Sequence, residues 1–165
     1  ALKVLAAEGL ITMKVRRGAY VTEVSEKDLR DVYHLLGLLE SDAAAVVAQT
    51  ASPSDLKKLQ SLHSELEAAG KPGKEKHDKF FEMNEAFHMY LLELAQNKWR
   101  DQMVADLRKV MKLNRHNSLF KTGRITESLK EHQAIMAALL AKDPLATAAR
   151  MREHFANGLV AASAI

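Results

Sequence analysis

Three histidines stand at positions where a helix would turn them toward the protein interior. Asn84 and His88 are one helical turn apart, so their side chains project from the same face. Apolar residues lie three, four or seven positions from this pair, and similar intervals surround His132. His154 has Met151 three positions before it. The spacing therefore predicts that three imidazoles from three different helices face one interior.

Two kinds of chemistry suit buried imidazoles. Each ring could be an ordinary core histidine whose nitrogens bond to a carbonyl or a hydroxyl group. Three rings in one bundle could instead share a divalent cation, which satisfies all of them at once. Periodicity alone leaves both interpretations open. The remaining histidines lack the pattern and are expected at the surface or its boundary, and they are His34, His63, His77 and His116.

Composition sets limits on the kind of protein. The 165 residues are 47% hydrophobic and 27% charged, which is typical of one folded domain with a small attachment. There is no cysteine, so a metal must be held by histidine, carboxylate or amide groups, and a cytoplasmic location is expected. A net charge of +3 permits nucleic-acid binding without requiring it. No apolar run is long enough to predict a membrane span.

Helix start and stop signals predict an all-α fold, an antiparallel bundle of about six helices over residues 25–165. Ser25 with Asp28 resembles a capping box, and Ser52-Pro53 and Asp143-Pro144 each place a cap before a proline. Asn97 is expected to end a helix in the left-handed conformation, and Thr126 to begin one. The predicted helices run over residues 25–49, 53–69, 76–96, 99–117, 126–141 and 144–162.

Residues 1–24 have a different pattern and are predicted to form a separate unit. Residues 1–9 have helical spacing and a closing glycine but no preceding cap, which suggests that an upstream part is missing. Two β-type runs at 10–15 and 19–24 follow, with Gly18 expected to supply the turn of a hairpin. The domain boundary is placed at Ser25.

Longer segments resemble a known family. The runs NEAFHMYLLELAQN and ESLKEHQAIMAALLAKDPLATAARMREHF resemble FCD-type effector domains, which belong to the FadR subfamily of GntR transcription regulators. The opening run ALKVLAAEGLITMKVRRGAYV resembles the end of the winged helix-turn-helix of such regulators. The resemblance covers essentially the whole chain. It implies a helical effector domain that follows the remnant of a DNA-binding domain.

The resemblance also implies a metal site and an effector. The ligands would be Asn84, His88, His132 and His154, holding Zn, Ni or a similar divalent ion. The family usually has aspartate where this chain has Asn84, and arginine-rich sequence where it has residues 35–38. A small carboxylate would complete the metal shell. The candidates for holding that anion are Arg115 and Arg124.

The implied function is DNA-binding transcriptional regulation, most simply as a repressor, by a homodimer formed through the helical domain. Operator DNA would be contacted by wing residues, which are Lys14, Arg16, Arg17 and Gly18. Two alternatives remain, a metal-free dimerisation module and a metal-dependent hydrolase. An enzyme is not expected, because no His-Glu-x-x-His motif occurs and Glu85 and Glu131 would project away from the ligands beside them.

Overall fold

Helices make up most of the structure, a computed structural model that describes residues 1–14, 18–21, 23–114 and 121–163. A short helix and a hairpin come first, and six longer helices follow. The predicted all-α bundle of six helices is confirmed within these ranges. The elements are α1 (Leu2–Ala7), β1 (Ile11–Lys14), β2 (Gly18–Val21), α2 (Glu26–Thr50), α3 (Pro53–Ala69), α4 (His77–Ala95), α5 (Lys98–Leu113), α6 (Arg124–Leu140) and α7 (Pro144–Ser163).

Three of the predicted helix starts are confirmed. Ser25 caps α2 in a reciprocal capping box with Asp28, and Ser52 forms the same box at the start of α3. At the start of α7, the side chain of Asp143 accepts a hydrogen bond from the backbone N–H of Ala146 at 2.9 Å. These side chains satisfy backbone donors that a helix leaves unpaired in its first turn.

Two predicted cap residues are wrong. Gln96, not Asn97, takes the left-handed conformation after α4, with φ of 53°. Asn97 instead caps α5 by accepting from the N–H of Arg100 at 3.1 Å, because the next helix begins immediately and needs an acceptor there. Thr126 lies inside α6, which begins two residues earlier because Gly123 adopts φ of 83° and turns the chain into the helix.

The hairpin pairs antiparallel, with Ile11 opposite Val21 and Lys14 opposite Gly18. Gly18 is therefore the first residue of β2, where it pairs in the ladder, and not the turn residue that was predicted. Arg16 and Arg17 lie outside the described residues. The division into units 1–24 and 25–165 remains a prediction.

The core lies where α2 packs along α7, with α4, α5 and α6 around them. A smaller apolar cluster sits at the α3, α4 and α6 end of the bundle and includes Phe80 and Ile125. No helix in the described ranges is long and apolar enough to cross a membrane. Several polar side chains are buried between the apolar layers, and they form the site described next.

Candidate metal centre

The three histidines predicted to face inward meet inside the bundle. His88 comes from α4, His132 from α6 and His154 from α7, and their exposed fractions are 0%, 0% and 7%. Their ring centroids are 4.7 to 5.2 Å apart, and one ring nitrogen of each lies within 4.8 Å of the others. Each histidine lies within four residues of a fully buried apolar neighbour on its own helix, so burial of the apolar stripes brings the three rings together.

Asn84 joins this group from the turn of α4 that precedes His88. Its Oδ1 lies 2.8 Å from Nε2 of His132, and its side chain is half-buried. Two atoms that bind one cation at about 2.1 Å each are separated by about 3 Å, so this pair has the spacing of neighbouring ligands. The structure therefore brings together all four predicted ligands.

A buried carboxylate stands behind His88. Glu40 on α2 accepts a hydrogen bond from Nδ1 of His88 at 2.5 Å and is completely buried. Its other oxygen accepts from Nε of Arg108 on α5 at 2.7 Å, and Nη2 of Arg108 lies 2.6 Å from the same oxygen. The three side chains thus connect α2, α4 and α5 through one charged network.

The protonation states in this network follow from burial and charge. Burial alone would raise the pKa of Glu40, but Arg108 and His88 outweigh it and lower that pKa to about 2. Burial lowers the pKa of His88 to about 4 despite the neighbouring carboxylate. Burial also lowers the pKa of His132, and the two nearby histidines add to the effect. At neutral pH, His88 is therefore neutral and donates to an ionised Glu40.

A second charged network of the same kind lies behind His154. Glu131 on α6 accepts from Nδ1 of His154 at 2.6 Å and from both terminal nitrogens of Arg124 at 2.8 Å. Burial would raise the pKa of Glu131, but His154 and Arg124 lower it to about 2. Glu131 was expected to project away from His132, the ligand beside it in sequence. It contacts a different ligand, His154 on α7, which that expectation did not include.

The donor set fits a divalent cation. The bonds to the two glutamates place the protons of His88 and His154 on Nδ1, which leaves Nε2 of each ring free to bind a metal. Within the described part of the chain, Nε2 of His88 is buried without a hydrogen-bond partner. Buried polar atoms without partners are rare in native proteins, and a bound cation would satisfy this nitrogen.

A cavity of about 70 Å³ opens beside the histidines. Its lining combines polar and charged side chains with aromatic and apolar ones. Arg124 lines it, with its guanidinium engaged by Glu131. Arg115, the other candidate for holding an anion, lies outside the described residues. The lining residues are Tyr33, Phe80, Phe81, Asn84, His88, Arg108, Met111, Arg124, Ser128, His154, Phe155 and Gly158.

Sequence reasoning missed Glu40, Arg108 and His63. Glu40 lies four residues after the fully buried Leu36, and Arg108 four residues after Val104, so each charge stands on a buried helix face.

His63 is 9% exposed and lies between Leu59 and Leu66 on the same face of α3, which corrects its expected place at the surface or its boundary. The spacing test that found the other histidines would have found it. His34 is exposed as expected, and His116 lies outside the described residues.

Comparison with known proteins places the chain in a family. A family model described as the FCD domain matches residues 31–157, which is most of the sequence. The chain belongs to the FCD domain family. Its relatives include the HTH-type transcriptional repressor RspR of Escherichia coli, which is 26% identical over 151 residues. That match covers 91% of this chain and 65% of the repressor. The HTH-type transcriptional regulator LutR of Bacillus subtilis is 27% identical over 180 residues, covering 95% of this chain and 79% of LutR.

Solved structures support the fold of this FCD protein. E. coli McbR/YncC superposes with a TM-score of 0.86 at 21% identity, over 96% of this chain and 79% of that one. Streptococcus agalactiae GntR superposes with a TM-score of 0.68 at 22% identity, over 99% and 79% of the two chains. The predicted resemblance to GntR-type regulators with an FCD domain is confirmed, while membership of the FadR subfamily stays a prediction.

Removing Arg108 tests the network behind His88. Arg108→Met leaves the Glu40 charge buried without its main partner, and we expect it to lower the free energy of unfolding by about 3–5 kcal/mol. Arg108→Met combined with Glu40→Gln should recover most of this loss, because the amide still accepts from His88 and carries no charge. Urea denaturation in the presence of a chelator measures the free energy of unfolding of the single and the double variant. Lys79→Met, in the exposed Lys79–Glu82 pair, is the control and should cost about 0–1 kcal/mol. Equal losses for Arg108→Met and Lys79→Met would contradict the assignment.

The buried histidines predict acid sensitivity of the metal-free protein. Burial lowers the pKa of His88 to about 4 and also lowers that of His132, whereas unfolded histidines titrate near pH 6.5. The unfolded chain therefore binds protons that the folded chain does not, and stability falls as the pH decreases from about 6.5 to about 4. Each such histidine contributes up to about 1.4 kcal/mol per pH unit within its window. Urea denaturation across this range, with exposed His34→Ala as the unchanged control, should give the slope. A free energy of unfolding that does not change over this pH range would contradict the predicted effect of the buried histidines.

Proposed function

We propose that this chain is the sensing part of a transcriptional regulator, in which a helical FCD domain holds a divalent metal ion and responds to a small carboxylate. The observation that carries the proposal is the convergence of three buried histidines with Asn84 beside them. Two of these histidines have Nδ1 bonded to an ionised glutamate. Carboxylate partners of this kind orient metal-binding imidazoles and increase their basicity.

The ligand types favour Zn or Ni. Imidazole nitrogens suit these ions, and an amide oxygen can fill one further position. Asn84 contributes no negative charge, unlike the aspartate usual in the family, so the cation would keep more of its charge. This reduces the attraction between the protein and the ion, and it increases the attraction between the loaded site and an anion.

The surroundings of the site support an anionic effector with an apolar body. The charges of Glu40 and Glu131 are balanced by Arg108 and Arg124, so neither glutamate is left to repel an anion. The ion would offer an open coordination position to a carboxylate oxygen. Aromatic residues on the cavity wall suit the rest of such a ligand. Arg124 and Arg115 remain the candidates for a further contact with its charge.

The link to DNA rests on the relatives, which are named as transcriptional regulators and a repressor. We propose that residues 1–24 belong to a winged helix-turn-helix and that its wing contacts operator DNA through Lys14, Arg16, Arg17 and Gly18. Lys14 and Gly18 form the end pair of the β1–β2 ladder, beside which a wing tip would lie. We also propose a homodimer formed through the helical domain, for which exposed Leu35 and Leu38 on α2 offer apolar surface.

Two alternative functions are separable from this one. A metal-free dimerisation module would leave the histidine cluster as a structural feature. A metal-dependent hydrolase would need a carboxylate free to act as a general base. Two carboxylates contact the clustered histidines, and both are occupied: Glu40 by His88 and Arg108, and Glu131 by Arg124, His154 and Asn157. This favours regulation over hydrolysis.

Metal content is the primary test. The purified protein should carry a stoichiometric amount of Zn or Ni, measured by plasma mass spectrometry after gel filtration. His88→Ala and His132→Ala should each lose it, because each removes one of the converging ligands. His34→Ala is the matched control, since it removes an exposed histidine and should leave the content unchanged. Folded wild-type protein that binds no divalent ion at neutral pH would refute the proposal. Bound metal with turnover of esters or amides would support the hydrolase instead.

The effector is tested by thermal shift with a panel of small monocarboxylates and their neutral amides. A carboxylate at about 100 times its Kd should stabilise the metal-loaded protein by about 2.7 kcal/mol, by mass action. The amide should have little effect, and chelation of the metal should remove the carboxylate's effect. The same carboxylate should change the retardation of promoter DNA by the regulator. Equal stabilisation of loaded and metal-free protein would show that the carboxylate binds elsewhere.

A further inference from the structure

His132 differs from the other two clustered histidines in its outer contact. Nδ1 of His88 and Nδ1 of His154 each bond to a glutamate, whereas Nδ1 of His132 is buried and has no hydrogen-bond partner among the described residues. Nε2 of His132 faces Asn84 at 2.8 Å, on the side of the other ligands. If Nε2 binds the metal, the proton of this ring must lie on Nδ1. That N–H then requires an acceptor in the interior.

His63 on α3 offers the matching acceptor. Its Nε2 is also buried without a hydrogen-bond partner in the described part of the chain. The two imidazole centroids are 6.5 Å apart and the rings are tilted by 31°. Rings with centroids this far apart cannot bring two of their nitrogens to the ~3 Å of a direct hydrogen bond, whereas one bridging water molecule can connect them. Two buried nitrogens on neighbouring rings, each without a partner among the described residues, are thus complementary.

The other side of His63 favours the tautomer that the bridge needs. Nδ1 of His63 lies 3.8 Å from Oε2 of Glu67, so the negative charge favours a proton on Nδ1 and leaves Nε2 as an acceptor. Glu67 is held in place by Gln133, whose Nε2 donates to its other oxygen at 2.9 Å. Burial lowers the pKa of His63 and outweighs the opposite effect of the Glu67 charge.

A surface groove between α3 and α6 borders His63. Its other lining residues are the polar Gln60, Ser64 and Gln133 and the apolar Met136, Ala137 and Leu140. A bridging water needs polar partners and room, and here its partners would be one nitrogen of His63 and one of His132. The groove lies between α3 and α6, and its lining shares no residue with the cavity beside the ligands.

We infer that His63 is a positioning residue for the metal ligand His132, acting through one bridging water, and that Glu67 orients His63 in turn. The inference rests on the proposed metal function. It extends that function by connecting His132 to the carboxylate of Glu67 through His63, whereas the other two histidines contact Glu40 and Glu131 directly. His63 itself does not touch the metal.

The tautomer of His63 in the wild-type protein is the first test. In the Zn²⁺-loaded protein, long-range ¹H–¹⁵N spectra of labelled histidine should show His63 protonated at Nδ1 and bare at Nε2. His132 should be protonated at Nδ1, with Nε2 bound to the metal. A proton on Nε2 of His63, or a doubly protonated ring, would overturn the inference. This measurement does not depend on the folding of any variant.

Zn²⁺ affinity, measured by chelator competition, is the second test. His63→Leu should weaken binding by roughly 10- to 100-fold, the usual effect of removing an outer partner. His63→Gln keeps an acceptor and should retain most of the affinity, while His34→Leu should retain all of it. If His63→Leu does not fold, His63→Gln and the tautomer still decide the question.

The outcomes of these tests distinguish the role of His63 from the proposed metal binding. Wild-type protein that binds no Zn²⁺ refutes the proposed function. Normal wild-type binding with unchanged affinity in His63→Leu overturns the inference alone. Equal losses in His63→Leu and His63→Gln would also overturn it, because they would indicate a packing role for the ring and not a hydrogen bond.

Discussion

The buried carboxylate of Glu40 is the interaction on which the interior depends. An ionised group inside a helical bundle loses its hydration, and it is stable only where other charges and donors replace the water. Here His88 from α4 and Arg108 from α5 replace it, and both reach Glu40 from helices other than its own. The relative positions of α2, α4 and α5 are therefore constrained by one carboxylate. A shift of any of these helices by a turn would leave a charge without a partner.

The sequence predicted the elements well because their signals are local. Capping boxes at Ser25 and Ser52 depend on residues three positions apart, and so they can be recognised without knowledge of the fold. One cap was wrong because two helices follow one another closely. Asn97 could end one helix or begin the next, and the choice depended on the conformation of Gln96.

The candidate site was only partly predictable for a related reason. Periodicity places each histidine on the buried face of its own helix, but it does not specify what the other helices bring to that face. Glu131 illustrates the limit, since its direction away from His132 was predicted and its contact with His154 was not. The partners of Glu40 are 48 and 68 residues away in sequence, beyond the reach of any spacing rule. Only their positions on buried faces could have drawn attention to these charges.

The corner between α4 and α5 has a mechanical consequence. Only Gln96 and Asn97 separate the two helices, and the side chain of Asn97 is bonded to the first turn of α5. Because the joint is so short, a displacement of the end of α4 also displaces the start of α5. The first of these helices carries His88. From the second, Lys109 donates to Glu8, just after α1, at 3.1 Å. A displacement at the histidines therefore has a short path to the N-terminal segment, through two consecutive helices and one ion pair.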